Sequence, residues 1–391
     1  MSALNLSNPN QNKQNTPSRS PFSFSLANLA QYGLTDPVQR RFEKIVSSEP
    51  ELIPGRVARV DGISTFVHGV SSNYRAVSTT SPRAQAVEVD SEFIQPTVGD
   101  WVLVREGQGS DPDVIDTILP RTSLLSRKRA NRSKDQTDEQ VLAANVTSVF
   151  VVQAATYINI GRLEREIALV WGSGARPVIV ISKTDLLDNQ AVEVVIAKVM
   201  ESAPGVEVFP VSGITGDGTD SLSVYTERGS TVVFIGASGV GKSTLVNYLL
   251  GSHVMETREI RSTDNRGRHT TVTRQLLPLP GGGVLIDTPG IRSIVLVSGS
   301  EPAIAKVFTE VEKYIGTCRF NDCSHENEPD CKVVEAISNG DLSQARFDSY
   351  MKMAAETEHA KLNRKPIMKR VNARRARVNA KMTRNSRISE R

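Results

Sequence analysis

The chain has 391 residues, of which 39% are hydrophobic and 23% charged; that length exceeds one average core, so a soluble globular protein of two or three domains is expected. No run of about 18 apolar residues occurs and the N-terminus lacks the charged-then-apolar plan of a secretory signal, which argues for a cytoplasmic protein with no membrane partner. The formal charge of +4 hides an asymmetry: residues 361–391 hold twelve Lys or Arg against Glu390 alone, a charge of +11, so residues 1–360 carry −7. A basic tail on an acidic body points to a polyanionic partner, nucleic acid first, with a merely solvated tail as the alternative.

Residues 1–27 are rich in Ser, Asn, Gln and Pro and carry no acid. Such a composition cannot bury enough apolar surface to fold, so a disordered extension is expected. A Ser-rich, acid-poor start also suits an organelle transit peptide, although Arg19 is its only arginine. Across 28–135, short β-branched runs ("IPGRVARVDGISTFVHGV", "VGDWVLVRE") are punctuated by Gly, Pro, Asn and Asp. That rhythm predicts a small OB-type β-barrel with a linker. Arg127, Lys128, Arg129, Arg132 and Lys134 cluster at its end, either as an RNA-facing edge or as a charged linker.

From "VTSVFVVQAA" onward, over 136–297, apolar strands at 148–155 and 177–182 alternate with helical patterns near 161–173 and 188–202. "VEVFPVS" and "TVVFIG" supply further strands. Alternation of this kind predicts a parallel sheet covered by helices, with the chemistry in loops at the carboxyl ends of its strands.

Three of those loops carry recognisable chemistry. The segment Gly236, Ala237, Ser238, Gly239, Val240, Gly241, Lys242, Ser243, Thr244 satisfies G-x-x-x-x-G-K-S between a strand and a helix. Its glycines let backbone N–H groups wrap a phosphate, Lys242 adds charge toward the β- and γ-phosphates, and the Ser243 hydroxyl can ligate Mg²⁺. In "VLIDTPG", Asp287 can hold Mg²⁺ through water and Gly290 can offer its N–H to the γ-phosphate; read alone, D-T-P-G is an ordinary turn. Between them, "NRGRHTTV" provides Thr270 or Thr271 to complete the Mg²⁺ shell and has the composition of a switch.

Upstream, "VIVISKTDLLD" has the pattern of a guanine-reading loop. Asp185 can accept from guanine N1 and N2, which adenine cannot match, and Lys183 can lay its stem along the base; Ser182 and Thr184 complete the loop. Ser212 and Gly213 in "VFPVSG" supply the short loop that supports O6. Ser182 stands where most GTPases carry Asn, and its shorter side chain predicts a looser link between base loop and P-loop. The element order is therefore base loop, supporting loop, P-loop, switch I, switch II, a circular permutation. Parallel strands are held by ladders and covering helices rather than by chain order, so such a rearrangement preserves the site.

The three cysteines fall in one segment, "CRFNDCSHENEPDC", which argues against a disulfide framework. Cys318, Cys323, His325 and Cys331 offer three thiolates and one imidazole at C-x4-C-x-H-x5-C spacing, the donor set of one structural Zn²⁺ with no open position. The alternative is three free thiols beside a surface histidine.

The permuted order together with "GASGVGKST", "RGRHTT", "DTPGIR" and the flanking barrel and cysteine segments resembles the RsgA/YjeQ family of ribosome-associated GTPases, over residues 28–365. The resemblance implies an OB-fold, a permuted GTPase domain and a mostly α zinc-binding domain over 298–360, acting in late maturation of the small ribosomal subunit and contacting its rRNA. Ser182 for Asn and Thr147 for Asp depart from the commoner pattern. Ile291 follows "DTPG" where Ras-like proteins place the glutamine that orients water. His269 is the expected substitute, and the resemblance points the same way, against the alternative of a surface or phosphate-side histidine. The reading is a monomeric GTP phosphohydrolase binding GTP and GDP; a P-loop kinase of a small metabolite and an RNA-binding assembly protein with a vestigial nucleotide site are the competing classes.

Overall fold

The computed structural model describes residues 26–62, 64–84, 95–128, 139–251, 274–287, 300–326 and 328–358. A 3-10 turn (Leu26–Tyr32) and helix α1 (Asp36–Ser48) precede the first strand. Pro37 starts α1 where a missing N–H costs nothing. Val38, Phe42 and Ile45, spaced four and three apart, bury one face of it. Phe42 meets Trp101 edge-on with ring centroids 5.9 Å apart.

Strands β1 (Leu52–Asp61), β2 (Ser64–Gly69), β3 (Asn73–Ala84), β4 (Trp101–Arg105) and β5 (Val114–Ile118) close a barrel in the order β1-β2-β3-β5-β4. The β3–β5 pair is parallel and the others antiparallel. This is the expected OB-type closure. Beyond it the linker expected at the barrel's end contains a strand: β6 (Leu124–Lys128) pairs antiparallel with β7 (Glu139–Ala144). Leu125 and Leu142 from this pair are buried, and the Leu124 N–H donates to Ser173 O at 2.8 Å.

Six strands make the central sheet: β8 (Ser148–Ala154), β9 (Arg176–Ser182), β10 (Val208–Pro210), β11 (Thr231–Gly236), β12 (Gln275–Pro278) and β13 (Val284–Asp287), ordered β10-β9-β8-β11-β13-β12. All neighbours are parallel except β12 with β13. Almost every residue of β8, β9 and β11 is buried, which explains runs such as "VIVIS" with no polar alternation. Helices α2 (Ile160–Gly172) and α3 (Asn189–Ser202) start at side-chain caps, Asn159 on Arg162 N–H and Asp188 on Ala191 N–H, and α4 (Lys242–Leu250) follows β11. The strands that lead to the base loops, β9 and β10, come before β11 in the chain but lie in the same sheet. The permutation therefore leaves both base loops and the P-loop at one edge of the sheet.

C-terminal to the sheet come α5 (Glu301–Val307), α6 (Thr309–Glu312), α7 (Lys332–Asn339) and α8 (residues 344–358). They share a core with the sheet's covering helix: Ile304, Val307, Phe308 and Phe347 join Leu163, Ile167 and Val170. One buried arginine secures this junction. Arg346 on α8 donates to Glu310 (2.7 Å), Glu164 of α2 (2.6 Å), Ser202 O (2.7 Å) and Val307 O (2.8 Å), with its guanidinium 4.3 Å from the Phe308 ring centre. The barrel is joined in the same manner. Arg56 of β1, 1% exposed, donates to Tyr32 O, to Gly99 O at 3.2 Å and to Thr231 Oγ1 at 2.9 Å. Burial lowers its guanidinium to about 9, opposed by the Asp100 carboxylate. Thr231 opens the strand that leads to the P-loop.

Candidate nucleotide and metal sites

Between β11 and α4 the backbone makes a turn only glycine tolerates. Gly236, Gly239 and Gly241 have φ of 142°, 79° and 94°, and a Cβ on Gly236 would lie 2.4 Å from Val152 O. The exposed Ser238 and Gly239 form the rim while Val240 is buried beneath it. Lys242 is folded back on the loop, its Nζ donating to Gly236 O at 2.9 Å and Ala237 O at 2.6 Å. Burial pushes its ammonium below the usual lysine value, and the carboxylate of Glu166 opposes that shift. Ser243 and Thr244 occupy the first turn of α4, where unpaired N–H groups and the helix dipole favour an anion.

The base loop meets this turn directly. Ser182 Oγ donates to Val240 O, with Gln153 O at 3.1 Å as its other acceptor. The looser link expected from a shorter side chain is not what the structure has. Ser182 is 1% exposed and ends β9 close enough to the P-loop for a hydroxyl to span the gap. Lys183 adopts a left-handed conformation (φ 60°), which sets its stem beside the P-loop; its Cε lies 3.9 Å from where a Cβ on Gly241 would be. Thr184 N–H donates to Val211 O at 3.4 Å. Asp185 Oδ1 accepts from Ser212 Oγ at 2.6 Å. Ser212 is fully buried, and a Cβ on Gly213 would sit 3.1 Å from Thr244 Cγ2. Both base loops are thus packed on the P-loop or on the helix it opens.

At the end of β13, burial raises the Asp287 carboxyl to about 6. A cation bound beside it would counter that burial and keep it ionised. His269, Thr270, Thr271, Gly290 and Ile291 lie outside the described residues. So do the tail 361–391 and, beyond the β6 backbone, the basic residues 127–134.

One polar group behind the P-loop is not among the residues expected from the sequence. Glu166 of α2 is fully buried and accepts from Gln153 Nε2 (2.8 Å) and Arg162 Nε (2.8 Å). A glutamine inside the apolar run "VFVVQAA" and an Arg/Glu pair four apart on the next helix are its signals.

In the C-terminal part, ligand atoms of Cys318, Cys323, His325 and Cys331 all lie within 4.8 Å of one another. The Cys318 and Cys331 sulfurs are 3.9 Å apart, and each is 3.5 Å from His325 Nδ1. Cys331 caps α7, its Sγ accepting from Val334 N–H. His325 (φ 63°) sits edge-on to Phe347 of α8 at 5.9 Å. The sequence-predicted ligands are therefore brought together as a cluster that can hold a metal ion.

The profile of the RsgA GTPase family matches residues 118–297. The protein of Streptomyces coelicolor called small ribosomal subunit biogenesis GTPase RsgA is 39% identical over 339 residues, covering 84% of this chain and 87% of that protein. In Vibrio parahaemolyticus the protein called small ribosomal subunit biogenesis GTPase RsgA 2 is 44% identical over 296 residues, covering 75% and 80%. Among solved structures, YjeQ from Thermotoga maritima aligns with a TM-score of 0.56 at 26% identity, covering 78% of this chain and 98% of that one. A circularly permuted GTPase, YloQ, shares the fold with a TM-score of 0.53 at 23% identity, covering 79% and 96%.

Proposed function

The chain belongs to the RsgA GTPase family, and from that premise we propose that it binds GTP across the P-loop and base loops and hydrolyses it to GDP and phosphate under stimulation by the small ribosomal subunit. It is a GTPase of small ribosomal subunit biogenesis. The observation that carries the nucleotide reading is the Ser182 hydrogen bond to Val240 O, because it joins the loop that reads the base to the loop that holds the phosphates.

Asp185, oriented by Ser212, accepts from guanine N1 and N2. Lys183 lines the base with its stem, and the Ser212–Gly213 turn faces O6. P-loop N–H groups and Lys242 hold the phosphates. Ser243, a switch I threonine (Thr270 or Thr271) and, through water, Asp287 are the residues that would hold Mg²⁺; bound there, the ion would neutralise charge on the phosphate oxygens. Gly290 would offer its N–H to the γ-phosphate. An isoleucine at 291 has no group to orient water, so His269 takes that role.

The cysteine cluster suits Zn²⁺. With Zn–S near 2.3 Å and Zn–N near 2.0–2.1 Å, a tetrahedron has S···S edges of about 3.8 Å and S···N edges of about 3.5 Å. The 3.9 Å and 3.5 Å separations among Cys318, Cys331 and His325 Nδ1 suit those edges and support Nδ1 as the His325 ligand. Four protein donors close the shell, so the metal is structural. The barrel, the zinc-binding segment and the basic tail then meet rRNA, and the chain works as a cytoplasmic monomer.

A small-metabolite kinase fits less well, since nothing in it calls for an Asp185 buttressed from a second loop. Competition binding decides between them. GTP and GDP should displace a fluorescent guanine nucleotide at least 100-fold better than ATP, and equal displacement would refute the assignment.

A further inference from the structure

His325 brings its Nδ1 to 3.5 Å from both the Cys318 and Cys331 sulfurs from a backbone conformation uncommon outside glycine, with φ at 63°. Its neighbours Ser324 and Glu326 are exposed, so packing does not fix the turn on either side. Both donate instead to one carboxylate. Ser324 N–H reaches Glu328 Oε1 at 2.8 Å and the Ser324 hydroxyl shares that oxygen, while Glu326 N–H reaches Oε2 at 3.1 Å. Glu328 stands outside the four-ligand cluster, and these donors engage both its oxygens.

A second tie crosses the cluster. Arg319, next to Cys318, pairs at 2.9 Å with Asp330, next to Cys331, but the two side chains are 66% and 63% exposed. Ion pairs that open to water contribute little, so this one does not decide where the ligands sit. Hydrogen bonds to an ionised acceptor are about twice as strong as neutral ones, and three converge on Glu328. Ser324 lies between Cys323 and His325, so a clamp on it acts on the short stretch that carries two of the four ligands.

We infer that Glu328 is a positioning residue of the metal site: its carboxylate, bound to Ser324 and to Glu326 N–H, fixes the turn at His325 and so aims Nδ1 at the Cys318 and Cys331 sulfurs. Groups outside the ligand shell that orient a metal-binding imidazole are worth about 10–100-fold in metal affinity. Here the carboxylate acts on the backbone that carries the ring. The inference rests on the zinc reading proposed above.

Competition for Zn²⁺ between the full-length protein and a chromophoric chelator tests it. Glu328→Ala should bind Zn²⁺ about tenfold or more weakly than wild type. Glu328→Gln, whose amide oxygen still accepts from Ser324, should fall between the two. Glu335→Gln removes an exposed carboxylate that pairs with Lys332 and is the charge-matched control; it should stay within about twofold of wild type. Ser324→Ala deletes one donor and should weaken binding on its own, yet add nothing to Glu328→Ala, because the hydroxyl acts through the carboxylate. Wild-type affinity in Glu328→Ala, an equal loss in Glu335→Gln, or additive losses in the double variant overturn the inference. Wild-type protein that holds no Zn²⁺ refutes the metal reading and the inference with it, whereas wild type and Glu328→Ala holding it equally refute the inference alone.

Discussion

Replacing Arg346 by Met tests whether the C-terminal helices are held to the GTPase sheet by one buried charge. The substitution keeps much of the volume but removes four donated hydrogen bonds at 2.6–2.8 Å. It strands Glu164, whose side chain is 2% exposed. Removing one partner of a buried pair costs about 3–5 kcal/mol, chiefly because the other charge is left uncompensated. Burial already raises the Glu164 carboxyl above its ordinary value, and Arg346 is the first group opposing that. Its loss raises it further. A carboxyl raised in the folded state is no penalty below its unfolded value, and the penalty grows as pH climbs toward the folded value. The deficit should therefore be smaller at pH 5 than at pH 7.5. Trp171, at the junction with Lys306 of α5 5.1 Å over its ring, reports undocking in urea by fluorescence. Arg346→Met/Glu164→Leu should recover about 1–3 kcal/mol of the loss, the coupling expected of groups in contact. A single variant within about 1 kcal/mol of wild type, or a deficit that grows toward acid pH, would show that this charge does not hold the junction.

Three further outcomes are expected. Asp185→Asn should shift preference from GTP toward xanthosine triphosphate, measured by competition binding, since the acceptor pair becomes partly a donor. Cys323→Ser should lose bound zinc by elemental analysis and weaken binding to the small subunit while leaving basal hydrolysis in place, because a closed metal shell has no part in the chemical step. His269→Ala should bind GTP and subunits normally yet lose most of the subunit-stimulated rate, and full stimulation would assign the water to another group.

The P-loop is legible in the sequence because its chemistry is local: three glycines with positive φ and a Lys-Ser pair must stand at fixed spacing. The base loop is legible only in company, and the closeness of its link to the P-loop is not legible at all. A sequence shows that Ser182 is shorter than Asn but not that Val240 O comes to meet it. The β6–β7 hairpin is hidden because ten residues rich in charge separate its strands and read as a linker. Arg56, Glu166 and Arg346 are hidden for another reason. In sequence a charged residue reads as surface, and Arg346 becomes a core residue only through Glu164, 182 positions away. Helix α1, with Pro37 and the Val38-Phe42-Ile45 stripe, carries a readable signal that the barrel's turn-rich pattern overshadows.

If one arrangement of permuted loops makes a GTPase whose turnover answers to the small ribosomal subunit, single-turnover hydrolysis of GTP, with and without purified small subunits and with ATP in parallel, must show it. With no glutamine after "DTPG", basal hydrolysis should be slow, and subunits should raise the GTP rate by about tenfold or more while ATP stays at background. Hydrolysis that remains at background with subunits present would overturn the coupling and leave an RNA-binding assembly protein with a vestigial site.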